Sequence, residues 1–367
     1  MKNLKTARST RNLTRDNSAG FTMLELMVAT AVFLIIAGAA FSLFANHAPL
    51  FTRQQNIAGL NITLRNAVTQ MELDTVNAGN GYYPGPDIAS WPIGVTINNQ
   101  APSATCYNAA AHTYSASCFD TLYIIGIDPS IPPTHPNPPG NSCVATDTSS
   151  ILWSDPPPAT EYSGSASQFA SLFHNGDQLL IIKSDGSQMA TTTLTKDGSQ
   201  SGGKIQLQHN PTGASTSDPL GITSYFASLG AGDSNNKLGN QFCTGDWILK
   251  LKYTQYTVDA TDPTNPKLLR TTENGTTDIV AEQIIGFKVG ATLWNANDSG
   301  DIYKFNNYNF LAYDPSQIRS VIVSLIGRTA PNRTGDINFR NSFDGGNYQI
   351  QSLSVVINPR NLSMNDQ

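Results

Sequence analysis

Charge is scarce in this chain of 367 residues: Asp, Glu, Lys and Arg make up 13% of it, about half the roughly 25% of an average soluble domain. Cationic charge is scarcer still, with 22 Lys and Arg against 27 Asp and Glu and a net charge of −5. Net charge therefore gives no support to a nucleic-acid partner. Catalytic motifs are missing as well. No Gly-x-Ser-x-Gly elbow and no phosphate-cradling Gly-x-x-x-x-Gly-Lys-Ser/Thr loop occurs, and His47, His112, His135, His174 and His209 include no zincin-type pair. Asp259 and Asp262 read as loop residues, since nothing sets them across a cleft. Residues 295–301 are rich in oxygen ligands but lack the terminal glutamate of an EF-hand, which favours a solvated turn over a calcium site. These absences lead to the expectation of a non-enzyme, with no cofactor and no small-molecule substrate.

What replaces charge is Ser, Thr, Asn and Gln with 29 Gly and 21 Pro, a usage that favours strands and turns over long solvated helices. The remaining charge is uneven. Lys2, Lys5, Arg8, Arg11 and Arg15 against Asp16 give residues 1–20 a net +4, so the rest carries −9. Residues 21–45 come next with Glu25 as their only charge. As a helix they would reach about 37 Å, enough to cross a hydrocarbon core of ~30 Å. Basic residues before such a run keep its N-terminal side in the cytoplasm and place the C-terminal three hundred residues outside it.

A conventional signal peptide has the same basic and apolar order, and Ala37-Gly38-Ala39 offers a cleavage site; a plain anchor is the other simple reading. Neither explains Glu25, a carboxylate in a spanning helix that calls for a cation, nor the sharp boundary at Ala19-Gly20-Phe21-Thr22. The stretch Gly20-Phe21-Thr22-Met23-Leu24-Glu25-Leu26-Met27-Val28-Ala29 resembles the prepilin N-terminal motif of type IV pilins and type II secretion pseudopilins. The resemblance implies that a prepilin peptidase cuts between Gly20 and Phe21 and methylates the new amine of Phe21. It also implies that Glu25 neutralises a terminal amine in a growing filament, since two ions that are costly in lipid are less so together.

Beyond the apolar run, Ile57, Leu60, Leu64, Ala67, Val68 and Met71 keep helical spacing, with Asn61, Arg65, Asn66 and Glu72 off the stripe. This reads as the soluble half of one long helix, kinked or broken near Pro49, whose stripe packs on its own head. The Gly- and Pro-rich residues 77–86 end it. The clearest strand candidates thereafter are 121–127, 178–183, 189–194, 204–208, 247–258, 284–293, 317–326 and 348–357. In 247–253, Trp247, Leu249, Leu251 and Tyr253 alternate with Lys250 and Lys252, which predicts a half-buried antiparallel strand. The Pro-rich stretches 128–140 and 155–159 read as extended loops.

The order of segments 176–186, 247–258 with 268–270, 279–289, 318–328 and 347–362 is similar to that of PilW-like minor pilins and J-type minor pseudopilins. Residues 84–175 depart from a minimal version of that pattern. The resemblance implies an α+β, type IV pilin-like fold: a long N-terminal helix, half membrane and half amphipathic, packed on a large antiparallel β-rich head. The expected organisation is a cleaved leader over 1–20, a membrane half over 21–45, a soluble half over 46–78 and an extracytoplasmic head over 79–367. Cys106, Cys118, Cys143 and Cys243 fall in the part placed outside, where disulfides persist. Four cysteines permit three pairings and the sequence does not choose among them; the preferred one clasps Cys106 to Cys118 locally and leaves Cys143 with Cys243. Zinc is the rival, disfavoured because no Cys-x-x-Cys pair exists and His112 has no second ligand at a suitable spacing.

The resulting expectation is a minor pilin held in the bacterial inner membrane by one span, then carried to or near the tip of a type IV pilus. Its partners would be other pilins, prepilin peptidase and the inner membrane. A type II secretion pseudopilin and a membrane-anchored adhesin or binding protein are the alternatives, and a secreted enzyme released after Ala39 is a third.

Overall fold

The computed structural model describes residues 20–81, 94–100, 106–108, 113–144, 150–185, 188–210, 238–295, 301–305, 317–330 and 339–362. Residues 1–19 of the basic leader, His112 and residues 296–300 of the oxygen-rich turn lie outside the described residues. The chain divides into one unit ending at Thr52 and a second, Arg53–Gln367.

Helix α1, Met23–Val76, belongs to both. It runs without interruption through Pro49, where a local break was one of the expected outcomes. A proline removes a single bond from the helical ladder, and its neighbours on both sides are retained. In the first unit the large apolar side chains from Phe21 to Phe51 are exposed. In the second, Leu60, Leu64, Ala67, Val68 and Met71 are buried and Ile57 is half-buried, while Asn61, Arg65, Asn66 and Glu72 face solvent.

The helical stripe packs on two antiparallel sheets. The first has seven strands: β1 (Val95–Asn98), β2 (Thr121–Ile127), β3 (Gln178–Ile182), β4 (Met189–Thr193), β5 (Trp247–Asp259), β6 (Lys267–Thr272) and β7 (Thr277–Glu282). The path runs β1-β2-β5-β6-β7, and β3, itself paired with β4, joins the beginning of β5. The second sheet orders β9 (Asp301–Phe305), β8 (Ile284–Asn295), β10 (Ile318–Arg328) and β11 (Ile350–Ile357). Inward residues of both sheets, among them Ile97, Leu122, Tyr256, Phe287, Val323 and Leu325, form one core with the helix. This long helix packed on a large, curled antiparallel sheet is the α+β pilin-like fold.

Close approach of helix and sheet depends on Gly327 in β10: a Cβ there would lie 2.8 Å from Leu60 Cδ1 and 3.1 Å from Leu64 Cδ2. Leu64 is 1% exposed within this core, so Leu64→Ala should cost about 3 kcal/mol of unfolding free energy, measurable by denaturant unfolding of the full chain in detergent. A loss below about 1 kcal/mol would mean that the helix is not held there. After Val76 the chain turns onto β2, where Gly79 N donates to Ile125 O and Ile127 N to Asn80 O, both at 2.8 Å. Gly79 (φ 73°) and Gly81 (φ 86°) adopt the left-handed conformation that this turn needs.

Residues between Ile131 and Ile248 build a separate core that includes Leu152, Phe169, Phe173, Leu207 and Phe242. Ala166–Ala170 forms a short helix there, closed by a Ser165/Gln168 capping box. The Pro-rich stretch after Asp128 is laced onto this lobe, with Ile248 N donating to Thr134 O (2.7 Å) and Asn137 N to Trp153 O (2.8 Å). The lobe also revises the expected pattern of β5. Lys250 does not face water: it is 8% exposed, pairs with Asp177 at 2.6 Å and donates to Leu172 O at 2.9 Å. Both faces of β5 are covered over 248–251, because the lobe packs on the side that alternation assigned to solvent.

Candidate functional site

Phe21 is 85% exposed, and Thr22 and Glu25 open α1 beside it. Thr22 N and Thr22 Oγ1 both donate to Glu25 Oε2 at 2.9 Å, and Glu25 N donates to Thr22 Oγ1 at 3.2 Å. This is a capping box, in which a Thr at the helix start and a Glu three residues on satisfy each other's backbone N–H groups. Glu25 is therefore hydrogen-bonded within its own chain. The Thr-x-x-Glu spacing was the available signal. Gly20 is exposed, and nothing lies within 4 Å of the position its Cβ would take.

At its other end, α1 is pinned to the head through Asp74. Its Oδ2 accepts from Tyr256 Oη and Arg270 Nε, both at 2.6 Å, and Oδ1 accepts from Arg270 Nη2 at 3.3 Å. Burial, and next the bond to Asp74, holds the Tyr256 hydroxyl far above the ordinary tyrosine value, so it acts as a fixed donor. Asp74 stands three residues after Met71, at the end of the stripe's own spacing and partly buried; periodicity places it on the packed face but does not reveal its partners. A second junction uses Asp120, fully buried, whose carboxylate accepts from Asn99 Nδ2 (2.9 Å), Gln100 N (2.8 Å), Lys288 Nζ (2.9 Å) and Val289 N (2.8 Å). These bonds tie the end of β1 and the start of β2 to β8.

The structure joins Cys106 to Cys118 and Cys143 to Cys243. The second bridge closes a separation of 100 residues and fastens the lobe at its base, where Cys143–Val144 pairs with Phe242–Cys243. Among the described residues, no three His, Cys, Asp or Glu side chains are grouped to hold a metal ion.

Near the C-terminus, Tyr114 and Tyr348 donate their hydroxyls to Asp344 Oδ2, Asn341 Nδ2 donates to Oδ1 at 2.7 Å, and Gly346 N does so at 2.9 Å. Burial pushes the Asp344 carboxyl up, but the donated bonds from Tyr114, Tyr348, Gly346 and Asn341 outweigh it and the net shift is downward. A carboxyl lowered on folding stabilises the fold above its unfolded value, about 3.9, and that contribution is lost as pH falls through the lowered folded value. Acid titration below about pH 4 should thus release this turn, read from near-UV tyrosine dichroism. Asp344→Asn should flatten that part of the curve, and an unchanged acid limb would contradict the assignment.

A family model described as the prokaryotic N-terminal methylation motif matches residues 15–41. Comparison with curated proteins and with solved structures finds no match. The motif and the long helix on its curled sheet together fit the general type IV pilin-like class. They are consistent with a structural subunit of pilin or pseudopilin type, with a fold that resembles a non-catalytic pilin scaffold. The apolar helix near the chain start is long enough to cross a membrane, consistent with a single-pass anchor and an extracytoplasmic head.

Proposed function

We propose that the chain is a minor pilin: a structural subunit cut by prepilin peptidase between Gly20 and Phe21, methylated at Phe21, held in the inner membrane by residues 21–45, and incorporated at or near the tip of a type IV pilus to prime or support assembly. The observation that carries this reading is the Gly20-Phe21-Thr22 and Glu25 arrangement at the head of an apolar helix that is exposed throughout its first unit. Ordinary anchors need neither the glycine boundary nor the acid. Ile57, Leu60, Leu64 and Met71 then act inside the subunit, seating the soluble half of the helix on its own head.

Glu25 refines the position. A subunit outermost in a filament has no neighbour above it whose amine requires a carboxylate, so the retained Glu25 favours a place beneath at least one other subunit. Deleting the chain should reduce surface filaments while leaving the export of folded type II substrates unchanged. The opposite pattern, with filaments intact and export lost, would move the chain to the pseudopilus. The lobe with its own core favours a further role for the head as a binding or adhesive surface, superimposed on assembly rather than replacing it.

A further inference from the structure

Gly59 lies in the interior of α1, where glycine is unfavourable relative to alanine. Nothing within the chain requires it, since no atom lies within 4 Å of the position its Cβ would occupy. It borders a groove of about 450 Å³ lined by Gln55, Gly59 and Thr63 of α1, by Ile279 and Glu282 of β7, and by Thr329. Every residue from 279 to 283 contributes to that wall. Alternate residues of a strand point to opposite faces, so a wall made of consecutive residues tracks the edge of β7, not one face of the sheet. β7 is the terminal strand of its sheet, and among the described residues no backbone hydrogen bond reaches its outer edge. Ile279 is 55% exposed.

We propose that this groove receives an extended segment of a partner protein, which adds as a strand to β7 and runs over Gly59. A free strand edge supplies main-chain donors and acceptors at the strand repeat, and a helix opposite it confines the added strand. Gly59 leaves room for the incoming chain on the helix side. Glu282 is exposed on the groove wall, Asp278 beside it along β7 is exposed and 4.0 Å from Arg270, and the chain after residue 20 carries a net −9, so the segment is basic. A second copy pairing through the same edge would bring its own Asp278 and Glu282 against these two, which makes a different protein the occupant.

The test uses the full chain in detergent micelles, with a synthetic nine-residue peptide alternating valine and threonine between lysines as the probe. It requires no filament, so it stands or falls separately from the pilus reading. Hydrogen exchange at Thr277–Glu282 should slow by about tenfold or more with this peptide. It should not slow with a version N-methylated on alternate backbone nitrogens, or with glutamate in place of lysine. Gly59→Phe, which fills the groove from an exposed helical position, should abolish the protection, whereas Gly59→Ala should keep it; both variants should retain the parent's thermal midpoint or exceed it. Unchanged exchange with the lysine peptide would overturn the proposal, as would equal protection by the glutamate peptide or protection that survives Gly59→Phe.

Discussion

Glu25→Gln is expected to leave the protein inserted in the membrane and to lower its recovery in sheared filaments by about tenfold or more, the scale on which losing one partner of a desolvated charge pair acts. The capping geometry makes glutamine the informative substitution. A glutamine at this position can still accept from Thr22 N, so the helix start survives while the charge is lost. Glu25→Leu removes both, and Thr22→Ala removes the two bonds made by the hydroxyl while keeping the carboxylate and its bond from the backbone N–H. If Glu25 acts by meeting the amine of a neighbouring subunit, Gln and Leu fail alike and Thr22→Ala assembles. If its role is to start the helix, Gln assembles and both Leu and Thr22→Ala are impaired. Immunoblots of the membrane and sheared fractions separate these outcomes, and normal recovery of Glu25→Gln would end the charge-pairing account.

Arg328→Leu is the second large effect expected, a loss of about 4 kcal/mol in the stability of the head. Arg328 ends β10 with only 2% of its surface exposed. Its Nε donates to Gln283 Oε1 at 2.8 Å, and Nη2 donates to Pro263 O at 2.6 Å and Thr264 O at 3.2 Å. The guanidinium also lies 4.8 Å from the centre of the Tyr348 ring. Gln283 has φ 60° and separates β7 from β8, so the chain changes sheets at this residue. Gln283 Nε2 donates to Thr264 O (2.7 Å) and Asn265 Oδ1 (3.1 Å). The arginine thus clamps a corner that a non-glycine residue holds in an uncommon conformation. Leucine would take the charge-bearing donor from the Pro263 carbonyl and the Gln283 amide oxygen, while Thr264 O keeps Gln283 Nε2. Urea unfolding monitored by tryptophan fluorescence measures the cost, and a change below about 0.5 kcal/mol would mean that the corner stands without its clamp.

Gln283 also marks where sequence reading stops. Residues 279–289 look continuous, because apolar periodicity registers how residues face a core and not which sheet they belong to. A positive φ at glutamine has no signature of the kind that glycine provides. The strand candidates from 121–127 to 348–357 all coincide with strands of the head, since β-branched and aromatic runs bounded by Gly, Pro and Asn carry that information locally. The α1 stripe was legible for the same reason. Lys250 was misassigned because alternation implies one wet face, and the lobe that covers the other comes from residues far away in the chain. Asp74, Tyr256 and Arg270 meet across separations of 182 and 196 residues, which no local pattern encodes. Thr22 and Glu25 stand at capping-box spacing, so their pairing is legible locally.

A pilin-type subunit is processed before its apolar segment, not after it. Intact-mass and N-terminal fragment analysis of the protein recovered from its native membrane reads where processing occurs. The expected chain begins at N-methylated Phe21. A chain beginning at Ala40 would make this a conventionally secreted protein, and one that retains Met1 would make it a plain membrane anchor; either would rule out the pilin reading.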